Sequence, residues 1–199
     1  MVAVSNDRVF LSPTEYLKWE PRQEFKHEYV DGEAFAITGG TLPHNAIALN
    51  LASALKNHLR GKRCIPYMAE AKVGITPNGP FFYPDVLVTC DRGDLEASQY
   101  VLNPCFICEV LSDSMEAYDH GNKFIKGYRR LESLKEYMLV LQDEIGVELR
   151  RLNDRGVWEI YFYGEGDEIR LESIGFTFPI SLLYEDVRLP MAEAQEREY

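Results

Sequence analysis

Between Phe106 and Leu111 the chain is apolar at every position except Glu109. Such a run reads as a strand passing through a core, and a carboxylate inside it needs a partner or a metal, because burying a lone charge is costly. That residue limits the fold more than any other feature. The preceding apolar run, Phe81–Cys90, also reads as a strand and carries Asp85 directly after Pro84. Alternation puts Asp85, Leu87 and Thr89 on one side of the first strand, and Cys105, Ile107 and Glu109 on one side of the second. If these strands pair, the two carboxylates converge. The plainer readings are a turn-capping role for Asp85 and a structural ion pair for Glu109.

Two converging carboxylates suit a hard divalent cation such as magnesium or manganese, which binds oxygen ligands and keeps waters and substrate phosphate in its other positions. Such an ion polarises a phosphodiester and makes hydroxide available near neutral pH. Downstream, the spacing predicts a helix over Asp119–Leu131, with Asp119 as cap and Phe124, Tyr128 and Leu131 as its apolar stripe. Lys123, Lys126 and Arg130 can share another face of it. They form either a solvated basic edge or a surface that meets phosphate, and a lysine beside the carboxylates would stabilise charge building on phosphorus.

The remaining elements supply a scaffold. Ser12-Pro13-Thr14-Glu15 has the form of a capping box with proline at the first helical position, and Pro21 ends that helix. His27–Thr38 reads as two short strands around the turn Asp31-Gly32. Its acids are expected on a solvated rim, with Glu28 as the one that would border the carboxylate site as an accessory acid. His44–Arg60 is the clearest helix, with Ile47, Leu51, Leu55 and Leu59 on one stripe. His44 at its start is a packing or capping residue, or a contact for phosphate, since that end of a helix attracts anions. One or two strands follow in Lys62–Ile75, then a turn at Pro77–Pro80. From Tyr137 on, Tyr137–Leu141, Val147–Leu152, Val157–Tyr163 and Ile169–Ile174 read as an antiparallel meander, and Pro179–Leu183 as a helical turn.

The chain has 199 residues, 46% hydrophobic and 27% charged, as expected for one α/β domain over 1–199 with its core at about 11–187. No apolar run reaches the length of a membrane span. The N-terminal residues lack the pattern of a secretion signal, so a cytoplasmic location is expected. Cys64, Cys90, Cys105 and Cys108 then read as buried thiols. A net charge of −11 argues against a general nucleic-acid coat, though not against a nuclease with a local basic strip.

Pro84-Asp85, Glu109 and a following lysine resemble the pattern of the PD-(D/E)XK nucleases. Taken with HEYVDGE (His27–Glu33), the start of the His44 helix, YPDVLV (Tyr83–Val88), EVLSDS (Glu109–Ser114), D-x-G-x-K (Asp119–Lys123) and SLKEYMLV (Ser133–Val140), the chain resembles a bacterial family of restriction-endonuclease-like proteins. The likeness runs from about Leu11 to Val187. It implies a mixed central sheet flanked by helices, with an antiparallel C-terminal meander. It also implies a metal-dependent endonuclease acting on DNA, with Asp85 and Glu109 holding magnesium or manganese; the edge strands of the meander, rich in Tyr161, Phe162 and Tyr163, could pair across a two-fold, and a homodimer would suit cleavage of both strands. Lys123 and Glu28 would be catalytic, and Lys126, Arg130 and His44 would bind substrate. One departure stands out: Leu111 occupies the place two residues after the acid where the superfamily has its lysine, which turns attention to Lys123, with Lys126 as the alternative. A non-catalytic interaction protein that keeps the scaffold is the rival reading.

Overall fold

The computed structural model describes residues 9–37, 40–111 and 123–189. Strand β1 (Val9–Phe10) leads into helix α1 (Pro13–Trp19). Ser12 and Glu15 form the reciprocal capping box, the Ser12 amide donating to the Glu15 carboxylate at 2.8 Å. The α-helix ends before Pro21, although a 3-10 turn, Glu20–Arg22, extends it. Strands β2 (His27–Val30) and β3 (Glu33–Ala36) flank Asp31-Gly32. Both turn residues have positive φ, 50° and 90°, as a two-residue hairpin requires. Thr38 lies outside the described residues.

Helix α2 (Leu42–His58) begins two residues earlier than expected, because Thr41 caps it by accepting from the His44 amide. Strands β4 (Ile65–Met68) and β5 (Val73–Gly74) follow. The single strand expected over Phe81–Cys90 is in fact two, β6 (Phe81–Phe82) and β7 (Val86–Thr89), and they belong to different sheets. Pro84 has no amide hydrogen for a ladder, and the Tyr83 amide donates instead to the Glu28 carboxylate at 3.0 Å. The chain therefore changes sheets at Tyr83-Pro84-Asp85.

Helix α3 (Arg92–Glu96), capped by Asp91, precedes strand β8 (Pro104–Leu111). The predicted helix over Asp119–Leu131 is seen only in part, since Asp119 lies outside the described residues. Its described portion is not continuous: helix α4 (Phe124–Lys126) gives way at Gly127 to a 3-10 turn, Tyr128–Arg130. A Cβ on Gly127 would lie 2.5 Å from the Phe82 ring, so this close approach admits only glycine. Phe124, Tyr128 and Leu131 are nevertheless buried as the pattern predicts.

Strands β9 (Glu136–Leu141), β10 (Val147–Leu152) and β11 (Trp158–Tyr163) form the antiparallel meander. Its expected fourth member departs. Strand β12 (Glu168–Leu171) pairs with β13 (Phe176–Pro179) in a separate two-stranded sheet, and the helical turn is Ile180–Leu182.

Among the described residues the strands form three sheets. The five-stranded one has the order β1-β3-β2-β6-β5, and the six-stranded one β11-β10-β9-β8-β7-β4. The β8–β9 pair is parallel and its neighbours are antiparallel, so the larger sheet is mixed. Ile47, Leu51, Leu55 and Leu59 of the α2 stripe pack with Val86, Val88, Phe106, Cys108, Val110, Met138 and Val140. The alternate residues Leu87, Ile107, Tyr137 and Leu139 pack with Phe82, Phe124, Tyr128, Leu131 and Leu134. Each fully buried side chain of this size contributes about 1.5–3 kcal/mol. Glu109 belongs to the second set by alternation, and so lies under the turn that carries Lys123.

The cysteines depart from the expectation of four thiols. The β4–β7 register pairs Ile65 with Thr89, so Cys64 comes opposite Cys90, and the two are joined as a disulfide with Cα atoms 4.1 Å apart. Cys105 and Cys108 are free, and burial pushes the Cys105 thiol up to about 11.

Candidate active site

Extending the β7–β8 register by one step from Val86↔Cys108 places Asp85 opposite Glu109. The Val110 amide confirms the approach by donating to Asp85 Oδ2 at 2.7 Å. Glu109 is 3% exposed and needs a partner. Its partners include Lys123, whose Nζ lies 3.0 Å from its Oε1, and the Tyr128 hydroxyl, which donates to the same oxygen at 2.9 Å. Burial, together with the Glu109 charge, holds the Tyr128 phenol well above its ordinary pKa, so it stays protonated and remains a donor.

Lys123 Nζ also lies 2.8 Å from Glu28 Oε1, both side chains being almost fully buried. Of the two positions open to Glu28, a solvated rim or the border of the carboxylate site, the structure has the second. The residue faces inward on β2, where the Tyr83 amide fixes the same oxygen. It also separates the two candidate lysines. Lys123 is buried against both carboxylates, whereas Lys126 and Arg130 are exposed. Arg130 lies beyond the break at Gly127, whereas Lys126 lies before it, at the end of α4, and is turned to solvent.

His44 reaches Asp85 from the first turn of α2, with Nε2 3.2 Å from Oδ2. The structure thus brings Glu28, His44, Asp85, Glu109 and Lys123 together from five separate segments. Sequence reasoning missed two participants. Tyr128 reads as a core aromatic in any periodicity argument, and the Tyr83 amide carries no side-chain signal at all.

A buried ion pair backs the site. Lys72 Nζ is 3.1 Å from Glu20 Oε2, and it lies 4.8 Å from the Tyr16 ring and 5.4 Å from the Tyr83 ring. Burial lowers the Lys72 pKa, against the pull of Glu20.

Among the described residues, no cluster of three or more His, Cys, Asp or Glu side chains is arranged to hold a metal ion. Two carboxylates are enough for magnesium, which keeps most of its shell as water and phosphate. The donor set fits on chemistry: both are hard oxygen ligands, and Asp85 is partly open, its side chain 21% exposed and its contacts gathered on Oδ2.

A mixed sheet with one acid just before β7, another within the adjacent β8 and a lysine over them defines a restriction-endonuclease-like protein. The Uma2 family model, described as "putative restriction endonuclease", matches residues 13–181, and the chain belongs to that family. It is 40% identical to the Synechocystis protein slr1290 over 186 residues, covering 92% of this chain and 97% of that one. A second Synechocystis protein, sll1609, is 30% identical over 172 residues, covering 85% and 96%. Both carry the description "uncharacterized". The crystal structure of a "putative nuclease belonging to DUF820" from Anabaena variabilis has the same fold, with a TM-score of 0.68 at 17% identity over 88% of this chain and 98% of that one. No helix among the described residues is long and apolar enough to cross a membrane.

Proposed function

We propose that this protein is a metal-dependent endonuclease that hydrolyses phosphodiester bonds in DNA. The observation that carries the reading is the convergence of Glu28, Asp85, Glu109 and Lys123 on one buried spot, in a chain of the Uma2 family. Asp85 and Glu109 would hold magnesium or manganese. When bound, such an ion polarises the phosphodiester and lowers the pKa of water.

The protein's own groups do the rest. Lys123 is aimed by Glu28, which the Tyr83 amide fixes in turn, so its ammonium is pre-positioned to meet charge developing on a phosphoryl oxygen. Tyr128 holds Glu109 Oε1 from the other side without itself ionising. His44, in the first turn of α2, orients Asp85 and offers a donor to phosphate near a helix end that favours anions. Lys126, exposed at the end of α4, and Arg130, exposed beyond the break at Gly127, contact the backbone on either side of the cut. The edge strand β11, with Ile160 and Phe162 exposed, is the surface through which two copies would pair to cut both strands.

The direct Lys123–Glu109 contact also favours a second reading, in which the two neutralise each other within a non-catalytic scaffold. The test is cleavage of supercoiled and single-stranded circular DNA with magnesium or manganese. Nicking that disappears in Asp85→Ala, Glu109→Ala and Lys123→Ala, and survives in Lys126→Ala, supports the enzyme. Wild type and variants that are equally inert favour the scaffold, and equal cutting by all of them removes the site assignment.

A further inference from the structure

Tyr83 is a junction beside the site. Its amide fixes Glu28, and its ring meets two lysine ammoniums, Lys72 at 5.4 Å and Lys26 at 5.6 Å. Lys72 is buried and committed to Glu20, whereas the Lys26 side chain is 40% exposed. The Ile37 amide donates to the Lys26 carbonyl at 2.8 Å, which continues the β2–β3 ladder one step past His27↔Ala36. Lys26 and Glu28 therefore point to the same side of that strand. From the other direction comes the turn after β4. The Met68↔Val86 register puts Ala69 opposite Asp85, and the Ala69 amide donates to the Asp85 carbonyl at 3.0 Å. Ala69 has φ 53°, a left-handed conformation uncommon for a residue with a Cβ, and such strain gathers at functional sites. The next residue, Glu70, reaches Lys26 at 3.5 Å. The pair thus ties the strand of Glu28 to the turn on Asp85, and Asp85 is the most exposed acid of the site.

We infer that Lys26 is a phosphate-binding residue of this site and that Glu70 covers it in the free protein. A phosphate of duplex DNA, close to the one that is cut, takes Lys26 from Glu70. The inference rests on the nuclease reading and names how that site takes hold of its substrate. Glu28, Asp85 and Glu109 all repel a phosphodiester, and the charge of Lys123 is taken up by two of them. A cation at the open side counts for more in a chain of net charge −11, because neutralising phosphates dominates binding to DNA. The Glu70 carboxylate is 81% exposed. So open an ion pair contributes little, and a phosphate displaces the carboxylate at small cost.

The test is fluorescence anisotropy of the full-length protein with a labelled DNA duplex in EDTA, where nothing is cut, across a salt series. Lys26→Ala is expected to weaken binding about threefold to tenfold and to reduce the slope of log affinity against log salt by about one, the loss of one phosphate contact. Lys26→Arg should retain the affinity. Glu70→Gln should tighten binding about threefold, and most of that gain should vanish when Lys26→Ala is also present, because no cation is then uncovered. Matching thermal melts of the variants exclude a folding defect. Lys26→Ala without effect on affinity or slope overturns the inference. So does an equal gain from Glu70→Gln in both backgrounds, which means that the acid only repels DNA. If duplex is bound, and is cut with magnesium or manganese, while these substitutions change nothing, the nuclease reading stands and this inference falls. If wild type neither binds nor cuts duplex, both fall.

Discussion

Replacing Lys123 by methionine tests how the site is held together. The lysine side chain is 4% exposed, and its two partners, Glu28 and Glu109, are 3% and 4% exposed. Methionine keeps most of the volume and removes the charge, so the variant leaves two buried carboxylates without the ammonium between them. Removing one member of a buried pair costs about 3–5 kcal/mol. In a chain of this length that corresponds to a drop in Tm of roughly 6–20 °C. The loss depends on pH, and its sign follows from linkage. A proton taken up between the two carboxylates replaces the missing ammonium, so the folded variant binds more protons than its unfolded chain. Its stability therefore rises as pH falls from 7 toward 5, and the gap to wild type narrows. Urea denaturation followed by fluorescence at pH 7 and pH 5 measures both effects. Adding Glu28→Gln to the variant should recover part of the loss at pH 7. A cost under about 1 kcal/mol, flat with pH, is what an exposed pair gives, and would refute the buried arrangement.

Two further outcomes follow from the packing around the site. Tyr16, Tyr83 and Tyr128 all have raised pKa values, chiefly through burial, so the folded state keeps three protons that an unfolded chain loses from about pH 10. These three contribute a fall of about 4 kcal/mol per pH unit above that pH, on top of an earlier fall from the buried thiols of Cys105 and Cys108 and a further share from Tyr184; Tyr83→Phe should lessen the slope by about 1.4 kcal/mol per pH unit in alkaline urea melts. Gly127→Ala places a Cβ 2.5 Å from the Phe82 ring and 2.6 Å from the Lys123 carbonyl. It should therefore cost about 1–3 kcal/mol by overpacking and reduce cleavage by shifting Lys123, read as a lowered Tm together with a lowered kcat.

The sequence by itself determined what short windows can express. The capping box at Ser12, the Asp31-Gly32 turn, the α2 stripe and the strand through Glu109 all rest on local periodicity, and all appear in the structure. It also required Glu109 to have a partner. It could not separate that residue from Glu136, an equally buried acid in the neighbouring strand. Glu136 is fully buried and tied to Arg151 and to the amides of Glu172 and Ser173, a structural role that its own surroundings in sequence do not reveal. The tertiary structure alone decided the rest. Glu28 turned inward because it caps the amide of Tyr83, 55 residues away, where Pro84 forces the chain between sheets. Lys123 rather than Lys126 reached the carboxylates because the Lys123 side of the turn packs onto the sheet, between Glu28 and Glu109, while Lys126 faces solvent. Cys64 met Cys90 through a strand register that no local pattern contains. Each of these depends on which strands lie side by side, a long-range choice made by the whole core, and windows of sequence carry only the period of each strand.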